Sequence, residues 1–398
     1  MTLNTSFLAK IEKYYFECKK FFIDIQNPVT GLLPSSLFNG TSKPENSANF
    51  AWIRDNVYSI LCVWSLSIGY RKISDLYDVT HRCKELELAT VKLMRSLLFC
   101  MMKQSEKVEM FKKTLDKSFA LHAKYKIDNC GLAGGDADWG HLQIDAISLY
   151  LLALAQIISS GMEVIWSTEE VCFIQNLVYY IENAYCTPDY GIFERGDKTN
   201  HGLPELNASS IGMAKVLLES ILPKESLSKV SLYFFQEVGA SLLSILSFPA
   251  FAVENQDLLQ LTRESIVTKL EGRYGLRRFL RDGHKTADPK RLHYEVNELK
   301  IFENIECEWP VFFAYLIVDG MFREDFEQAK DYMAKLKKVT VAIDGFEAVP
   351  ELYYVPLEKV QAEYKNPKSQ NRKYSLRLPH LWSQSLYIVS RLLYEVEF

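Results

Sequence analysis

The stretch Ala146-Ile-Ser-Leu-Tyr-Leu-Leu-Ala-Leu-Ala-Gln-Ile-Ile158 is the longest apolar run of the chain, and it decides the fold class. It is shorter than the roughly 20 apolar residues that a membrane-spanning helix needs, and Ser148 and Gln156 interrupt it. We therefore interpret it as a helix buried inside a globular protein. Because no other apolar run is longer, the sequence predicts no membrane-spanning segment.

Helical periodicity continues on both sides of this stretch. Apolar residues recur at a spacing of three to four from Phe7 to Ile25, which predicts a first helix with one apolar face. The segment Asn27-Pro-Val-Thr-Gly-Leu-Leu-Pro34 contains two prolines and a glycine and ends that helix. Strand-like alternation is rare, with Lys338 to Ile343 as the best candidate. Further helical patterns cover residues 54–70, 82–104, 140–160, 167–185, 206–221, 228–246, 256–271, 308–320, 324–339 and 378–396.

This series of helices predicts an all-α fold. No Ser/Gly linker, low-complexity run or recognisable repeat divides the chain, so we expect one domain over residues 1–398. A total of about twelve helices matches the two concentric layers of an (α/α)6 barrel. A helical solenoid would also bury helical hairpins, but its repeats should resemble one another, and these do not.

Composition narrows the class of protein. The 398 residues carry 46 Lys and Arg against 50 Asp and Glu, a net charge of -4, which argues against a nucleic-acid binder. The eight cysteines form no C-x-x-C pair, which favours buried free thiols in a reducing compartment. Lys10, Glu12 and Lys13 interrupt the first apolar region, so no ordinary secretory signal is expected. We predict a cytoplasmic protein, with delivery into another cell by an unrecognised route left open.

The sequence lacks the motifs of several common enzyme classes. It contains no G-x-x-x-x-G-K-[ST], G-x-G-x-x-G, H-E-x-x-H or G-x-S-x-G pattern. The seven histidines show no metal-ligand spacing, so neither a metal nor another cofactor is expected. What remains is carboxylates beside aromatic residues and arginines. Glycoside hydrolysis needs these residue types, because one carboxylic acid protonates the leaving oxygen while a second carboxylate activates water or attacks the sugar.

Three carboxylates are candidates for this chemistry. Glu194 follows two apolar residues, and an apolar setting raises the pKa of a carboxylic acid, as a general acid requires. Alternatively, Glu194 pairs with a neighbouring basic residue in a surface turn. Glu351 lies in an aromatic loop, where it is either a second functional carboxylate or a solvated one. Asp55 either holds sugar hydroxyls or caps the helix that follows it.

Seven long strings are specific enough to compare with known proteins. They are Asn27-Pro-Val-Thr-Gly-Leu-Leu-Pro-Ser35, Trp52-Ile-Arg-Asp-Asn-Val-Tyr-Ser-Ile-Leu61, Trp139-Gly-His-Leu-Gln-Ile-Asp-Ala146, Glu194-Arg-Gly-Asp-Lys-Thr-Asn200, Glu205-Leu-Asn-Ala-Ser-Ser-Ile-Gly-Met-Ala-Lys215, Glu303-Asn-Ile-Glu-Cys-Glu-Trp-Pro310 and Leu378-Pro-His-Leu-Trp-Ser-Gln-Ser-Leu-Tyr387. In this order they resemble the N-terminal domain of the phosphorylase kinase α and β subunits. That domain is related to the family 15 glycoside hydrolases, the glucoamylases. These are (α/α)6 barrels that release β-glucose from the non-reducing ends of α-1,4-glucans with inversion.

The resemblance implies roles for the matching residues. Glu194, in a Phe-Glu pair similar to the Trp-Glu of the glucoamylase loop, would be the general acid. Glu351, in a similar Pro-Glu pair, would be the general base. Trp52, Arg54 and Asp55 resemble the W-x-R-D segment that grips the terminal glucose. Other segments similar to the pocket lining contribute Trp139, Asp145, Arg278, Glu308 and Trp309.

Two positions next to the expected acid depart from the glucoamylase pattern. Arg195 stands where glucoamylases often have a second glutamate, so we expect it to alter substrate binding and the pKa of the acid. Phe193 replaces a tryptophan, which removes an N–H donor but keeps an apolar wall. Trp52, Trp139 and Trp309 can equally belong to the barrel core.

The sequence and its resemblance together predict an inverting, exo-acting glucoamylase with an α-glucan substrate. The chain ends just after the last predicted barrel helix, without the C-terminal extension of the kinase subunits, so we expect an independent catalyst. The main alternative is a non-catalytic glucan-binding or regulatory module with a protein partner, like the kinase domain. A different α-glucosidase or a trehalase-like enzyme is a third possibility. The preferred glucan, α-1,6 activity and the oligomeric state are left open by the sequence.

Overall fold

The protein is built mainly from helices. The computed structural model describes residues 2–38, 50–73, 79–136, 138, 140–194, 196–221, 238–287 and 291–396. Within these residues lie fourteen α-helices, which confirms the all-α prediction. They are α1 (Thr2–Cys18), α2 (Ile53–Ile73), α3 (Thr80–Met102), α4 (Ser105–Thr114), α5 (Ile144–Ser159), α6 (Thr168–Ala184), α7 (Gly196–Asn200), α8 (Ala208–Ile221), α9 (Leu243–Leu246), α10 (Gln256–Leu270), α11 (Val311–Phe322), α12 (Phe326–Lys337), α13 (Val360–Lys365) and α14 (Leu381–Glu395).

Six of these helices form a closed inner ring. Helix α2 packs against α5, α5 against α8, α8 against α9 and α9 against α11. Helix α11 then packs against α14, and α14 returns to α2. Helices α1, α3, α6, α10 and α12 each pack on a member of this ring as a second layer. Two concentric layers of helices make an (α/α)6 barrel, as predicted.

Burial distinguishes the two layers. Residues Ala146–Leu154 of α5 and Val311–Gly320 of α11 are all buried, so these inner helices are covered on every side. Outer helix α12 is instead buried along one face only. Removing these apolar surfaces from water drives the two layers together. None of the described helices is long and apolar enough to cross a membrane.

Helix boundaries differ from the periodicity in a few places. Helix α11 begins at Val311 rather than at residue 308, because Glu308 and Trp309 are extended and form β-bridges with other loops. The residue before a proline, here Trp309, also disfavours helical backbone. The sequence analysis missed α4, a helix of ten residues that buries only Val108 and Phe111. The helix predicted over 228–246 lies partly outside the described residues, and the described part contains the short helix α9.

The strands are short and come in antiparallel pairs. The predicted strand over Lys338 to Ile343 is confirmed in part, because Val341–Ile343 pairs with Phe346–Ala348. The others link loops at the ends of the barrel. In chain order the strands are β1 (Ser36–Phe38), β2 (Phe50–Trp52), β3 (Lys124–Lys126), β4 (Val341–Ile343), β5 (Phe346–Ala348), β6 (Tyr353–Tyr354), β7 (Lys373–Tyr374) and β8 (Leu378–His380), paired β1 with β8, β2 with β3, β4 with β5 and β6 with β7.

The cysteines are all free thiols. Most are buried, as expected, but Cys172 and Cys186 are exposed. Cys172 lies in the outer helix α6, and Cys186 lies just after its end. No further layer of the described helices covers either residue.

The candidate site lies at one end of the barrel. Strand β2 leads directly into α2, and β8 leads directly into α14, so two inner helices begin side by side there. The loops before α7 and α11 and the loop after β5 reach the same end. Because helix N-termini carry partial positive charge, this end suits carboxylates and polar ligands.

Candidate functional site

A cavity of about 180 Å³ lies at this end of the barrel. It brings together most of the residues predicted for the site, including both predicted catalytic carboxylates. The cavity is smaller than the usual pocket for a drug-sized ligand. Its polar and aromatic lining consists of Ser35, Trp52, Arg54, Asp55, Phe193, Glu194, Arg278, His284, Lys285, Trp309, Glu351, Arg377, His380 and Trp382.

Glu351 is held in an ion-pair clamp, which we define as Lys285, Glu351 and Arg377. Lys285 Nζ lies 2.6 Å from Glu351 Oε2, and Arg377 Nη1 lies 3.1 Å from Oε1. Ser375 Oγ donates to Oε2 at 3.3 Å. Burial alone would raise the pKa of Glu351, but the two cations outweigh burial and hold that pKa well below its ordinary value. The carboxylate is therefore firmly ionised.

Two histidines complete the surroundings of the clamp. Burial is the largest influence on His380 and lowers its pKa to about 4, although the charge of Glu351 opposes this. Burial also lowers the pKa of His284, with Arg278 adding to the effect. Both rings are therefore neutral at pH 7, and the cations facing Glu351 are those of the clamp.

Glu194 belongs to a second chain of polar contacts, which does not include the clamp. The Gln143 side-chain amide donates to Glu194 Oε1. Gln143 Oε1 in turn accepts from Arg54 Nη2 at 3.1 Å, and Arg54 Nε donates to Asp145 Oδ2 at 2.8 Å. Asp145, in the first turn of α5, thus orients Arg54, and Arg54 orients the amide that contacts Glu194.

The loop that carries Glu194 is anchored by Asp189. Its carboxylate accepts from the backbone N–H of Ile144 at 3.0 Å, from Ser210 Oγ at 2.6 Å and from Asn207 Nδ2 at 2.9 Å. Burial raises the pKa of Asp189 to about 7 despite these bonds. The loop is therefore tied to the starts of α5 and α8, which fixes the position of Glu194.

Asp55 lies inside the first turn of α2 rather than at its cap. It lines the cavity, and burial raises its pKa to about 7. The charge of Arg54 opposes this shift, whereas that of Glu351 adds to it. Asp55 is thus poised between its neutral and ionised forms near pH 7.

Aromatic rings form one wall of the cavity. Phe193 lies 5.6 Å from Trp309 and 5.9 Å from Trp382, measured between ring centroids. The Arg278 guanidinium lies 5.2 Å from the Phe193 ring and is fixed by Asp282 through bonds of 2.6 and 2.8 Å. A rigid apolar wall with a cation behind it suits stacking against a sugar ring.

Three buried donors in side chains that line the cavity have no hydrogen-bond partner within the described part of the chain. They are Ser35 Oγ, Trp309 Nε1 and Trp382 Nε1. A buried polar group without a partner is costly, so native structures normally satisfy it. A ligand with hydroxyl groups would supply partners to them.

Some predicted site residues lie elsewhere. Asp145 does not line the cavity but lies behind Arg54. Glu308 points away from the cavity, where it pairs with Arg372 at 3.0 Å and accepts from the backbone N–H of Tyr274 at 2.7 Å. Glu308 and Trp309 are neighbours in extended backbone, so their side chains point to opposite sides and only Trp309 lines the cavity. Trp139 and Arg195 lie outside the described residues.

Comparison with known proteins decides the family. The model of glycosyl hydrolases family 15 matches residues 12–397. This chain belongs to that family. Among solved structures of the family's fold, a wild-type glycosidase covers 98% of both chains with a TM-score of 0.63 at 15% identity. A glucoamylase from Saccharomycopsis fibuligera covers 97% of this chain and 95% of its own, with a TM-score of 0.53 at 11% identity. At such identities these likenesses show the fold alone.

The curated relatives of this family 15 chain point to regulation. The chain is 51% identical, over 97% of its length, to the phosphorylase b kinase regulatory subunit alpha, liver isoform, of Mus musculus. It is 50% identical to the skeletal muscle isoform of Oryctolagus cuniculus and 47% identical to a probable alpha subunit of Drosophila melanogaster, each over 97% of this chain. The chain spans about a third of the length of these relatives.

These relatives correct the main functional prediction. The prediction of a catalytic glucoamylase, with Glu194 as acid and Glu351 as base, is wrong. Curated relatives at about 50% identity are named regulatory subunits. The alternative of a regulatory module agrees better with them. Both glutamates are present in the cavity, so the residue types alone misled the prediction.

Sequence reasoning also missed several lining residues. His380 and Trp382 stand in one of the strings that carried the family resemblance, and that string could have indicated them. Lys285 and Arg377 had no such signal, because each lies in a loop far along the chain from the carboxylate it contacts.

Proposed function

We propose that this chain is a non-catalytic regulatory module of a phosphorylase kinase-type assembly, and that its family 15 cavity binds the end of an α-glucan without hydrolysing it. The identity to named regulatory subunits over nearly the whole chain supports the regulatory part. The glucan-binding part rests on the cavity.

The clamped state of Glu351 is the observation that carries the proposal. An inverting hydrolase needs a carboxylate that takes a proton from water on the far side of the sugar. A general base works best when its pKa lies near the working pH. Two cations and a hydroxyl group already engage Glu351, and the two cations lower its pKa against the effect of burial. Glu351 is therefore a weak base for this step.

The shape and chemistry of the cavity support sugar binding. Its volume of about 180 Å³ suits a single sugar ring rather than a long chain. The wall of Phe193, Trp309 and Trp382 offers a stacking surface. Three unpartnered donors are available in the described lining, namely Ser35 Oγ, Trp309 Nε1 and Trp382 Nε1. A glycosidase variant of the same fold has been solved in complex with glucose.

A protein partner is part of the same proposal. The relatives are subunits by name, so we expect the chain to associate with other subunits of a phosphorylase kinase. Coexpression with those subunits should yield a complex that stays together on size-exclusion chromatography. Elution of the chain by itself would contradict this part.

Removal of the Trp309 donor tests the cavity. Trp309→Phe keeps a ring in the wall but removes Nε1–H, whose hydrogen bond is worth about 1 kcal/mol. We expect maltotetraose to bind about fivefold more weakly, as measured by isothermal titration calorimetry.

Trp64→Phe is the matched control, because Trp64 donates to Ser160 Oγ outside the cavity. It should bind maltotetraose like the unmodified chain. Equal affinities of all three proteins, or no binding by any of them, would refute a sugar-binding role for the cavity.

A further inference from the structure

A second and larger cleft lies on the outside of the barrel. Its volume is about 690 Å³, and it shares no lining residue with the cavity of Glu194 and Glu351. It runs between the end of α2, one face of α3 and the loop before α6. Because Trp166 is its aromatic residue, we name it the Trp166 cleft.

Trp166 is presented as a rigid, exposed ring. It is 65% exposed, which is unusual for so large an apolar side chain. The Arg95 guanidinium lies 3.3 Å from the ring centroid and covers one face. Arg95 is itself fixed by Glu170 and by the backbone oxygen of Val164, at 2.6 Å each. The ring is therefore held from behind, and its other face is left for a ligand.

The indole N–H is already satisfied, since it donates to the backbone oxygen of Glu163 at 3.3 Å. What Trp166 offers is thus the ring face and not a hydrogen bond. Rings offered in this way stack well on flat, weakly polar surfaces such as the C–H face of a sugar ring.

Polar groups surround the ring. The side chain of Lys84 is 69% exposed and pairs with Glu87 at 3.0 Å. Thr80 and Glu163 also line the cleft and are exposed. Hydroxyl and charged groups around an aromatic platform match a ligand that has an apolar face and a rim of hydroxyls.

A protein partner fits this lining less well. The core of a protein interface is depleted of charged residues, whereas charged side chains cross the Trp166 cleft beside its apolar residues. The large volume also suits several sugar rings in a row better than one.

We propose that the Trp166 cleft is a second glucan site, which binds the side of an α-glucan chain by stacking on Trp166. This proposal goes beyond the proposed function, because the barrel cavity would bind the end of a glucan chain, whereas this cleft would bind several sugar units along the chain. Two sites on one molecule would raise the affinity for a branched glucan through a high effective concentration at the second site.

The test measures glycogen affinity by native gels that contain glycogen. We expect Trp166→Ala to bind about fivefold more weakly and Trp166→Phe to recover part of the loss, because a ring is restored. Phe326→Ala is the matched control, since Phe326 is 57% exposed and lies outside the cleft. It should bind like the unmodified chain.

Lys84→Ala serves as a second variant at the cleft that leaves the Arg95–Trp166 stack in place, and we expect it to weaken glycogen binding too. Unchanged glycogen affinity in both Trp166→Ala and Lys84→Ala would overturn the proposal. So would loss of a complex with kinase subunits while glycogen affinity stays the same, since that outcome identifies a protein surface.

The outcomes separate this proposal from the one for the cavity. If Trp309→Phe weakens maltotetraose binding but Trp166→Ala and Lys84→Ala both leave glycogen binding intact, the proposal for the Trp166 cleft is refuted and the one for the cavity stands. If Trp166→Ala weakens glycogen binding while Trp309→Phe has no effect on maltotetraose binding, the proposal for the cavity is refuted and the one for the Trp166 cleft stands.

Discussion

At the scale of residues, the partners of a carboxylate determine what it can do. Glu194 and Glu351 are the residue types that hydrolysis needs, and both reach one cavity. Glu351, however, carries Lys285 and Arg377 on its two oxygens. The same side chain that would serve as a base in water serves here as the centre of an ion-pair clamp.

Asp55 provides a prediction about pH. Its pKa is about 7 in the folded chain, above the ordinary value of 3.8 that it regains on unfolding. Between these values the folded state binds the proton and the unfolded state does not, so stability falls as pH rises toward 7. Asp55→Asn mimics the protonated form, and its stability gain over the unmodified chain should grow from pH 4 to pH 7 and then level off.

Urea unfolding at pH 5 and pH 8 measures this gain. Asp344→Asn is a suitable control, because Asp344 is exposed and pairs only at the surface with Lys20. The control should show little dependence on pH. A gain for Asp55→Asn that is equal at both pH values would contradict a raised pKa at Asp55.

At the scale of elements, periodicity predicts a helix well when one face is buried and the ends are capped. The pattern over 167–185 predicts α6 closely, and a capping box explains its start. Ser167 Oγ accepts from the Glu170 backbone at 3.2 Å, and Glu170 Oε2 accepts from the Ser167 backbone at 3.3 Å. Helix α4 was not predicted, because it is only ten residues long and follows α3 almost directly.

The cap of α6 gives a second prediction. Ser167→Ala removes the acceptor for the Glu170 N–H, and loss of an N-cap costs about 1 kcal/mol. The free energy of unfolding in urea should fall by about that amount. Thr168→Ala, one position further along and exposed, should change stability much less. Equal effects of the two substitutions would argue against the cap.

Contacts between distant loops could not be predicted from the sequence. The family strings led to Arg54, Asp55 and Trp309, and each of these residues precedes or begins an inner helix. Nothing in the periodicity places Lys285 beside Glu351, 66 residues further on. That contact exists only because the barrel brings the two loops to one end.

At the scale of the whole molecule, the fold was predictable and the activity was not. Regular helical periods and long family strings lead to a closed ring of inner helices, which the structure shows. Turnover depends instead on a few contacts between distant loops. The end of the chain, which favoured an independent catalyst in the sequence analysis, carries no information about those contacts.

Two glucan sites on one barrel would give the molecule a simple physical role. The cavity and the Trp166 cleft have no lining residue in common, so both could hold glucan at once. A module that holds glucan and does not cut it would keep a bound assembly on a glucan particle.

The most direct test of the central claim is to follow maltotetraose with the purified chain by proton NMR, which shows both ligand binding and released glucose. We predict line broadening of the bound glucan with no glucose formed above a protein-free sample. Steady release of β-glucose that Glu194→Gln abolishes, in a variant that still folds, would contradict the account.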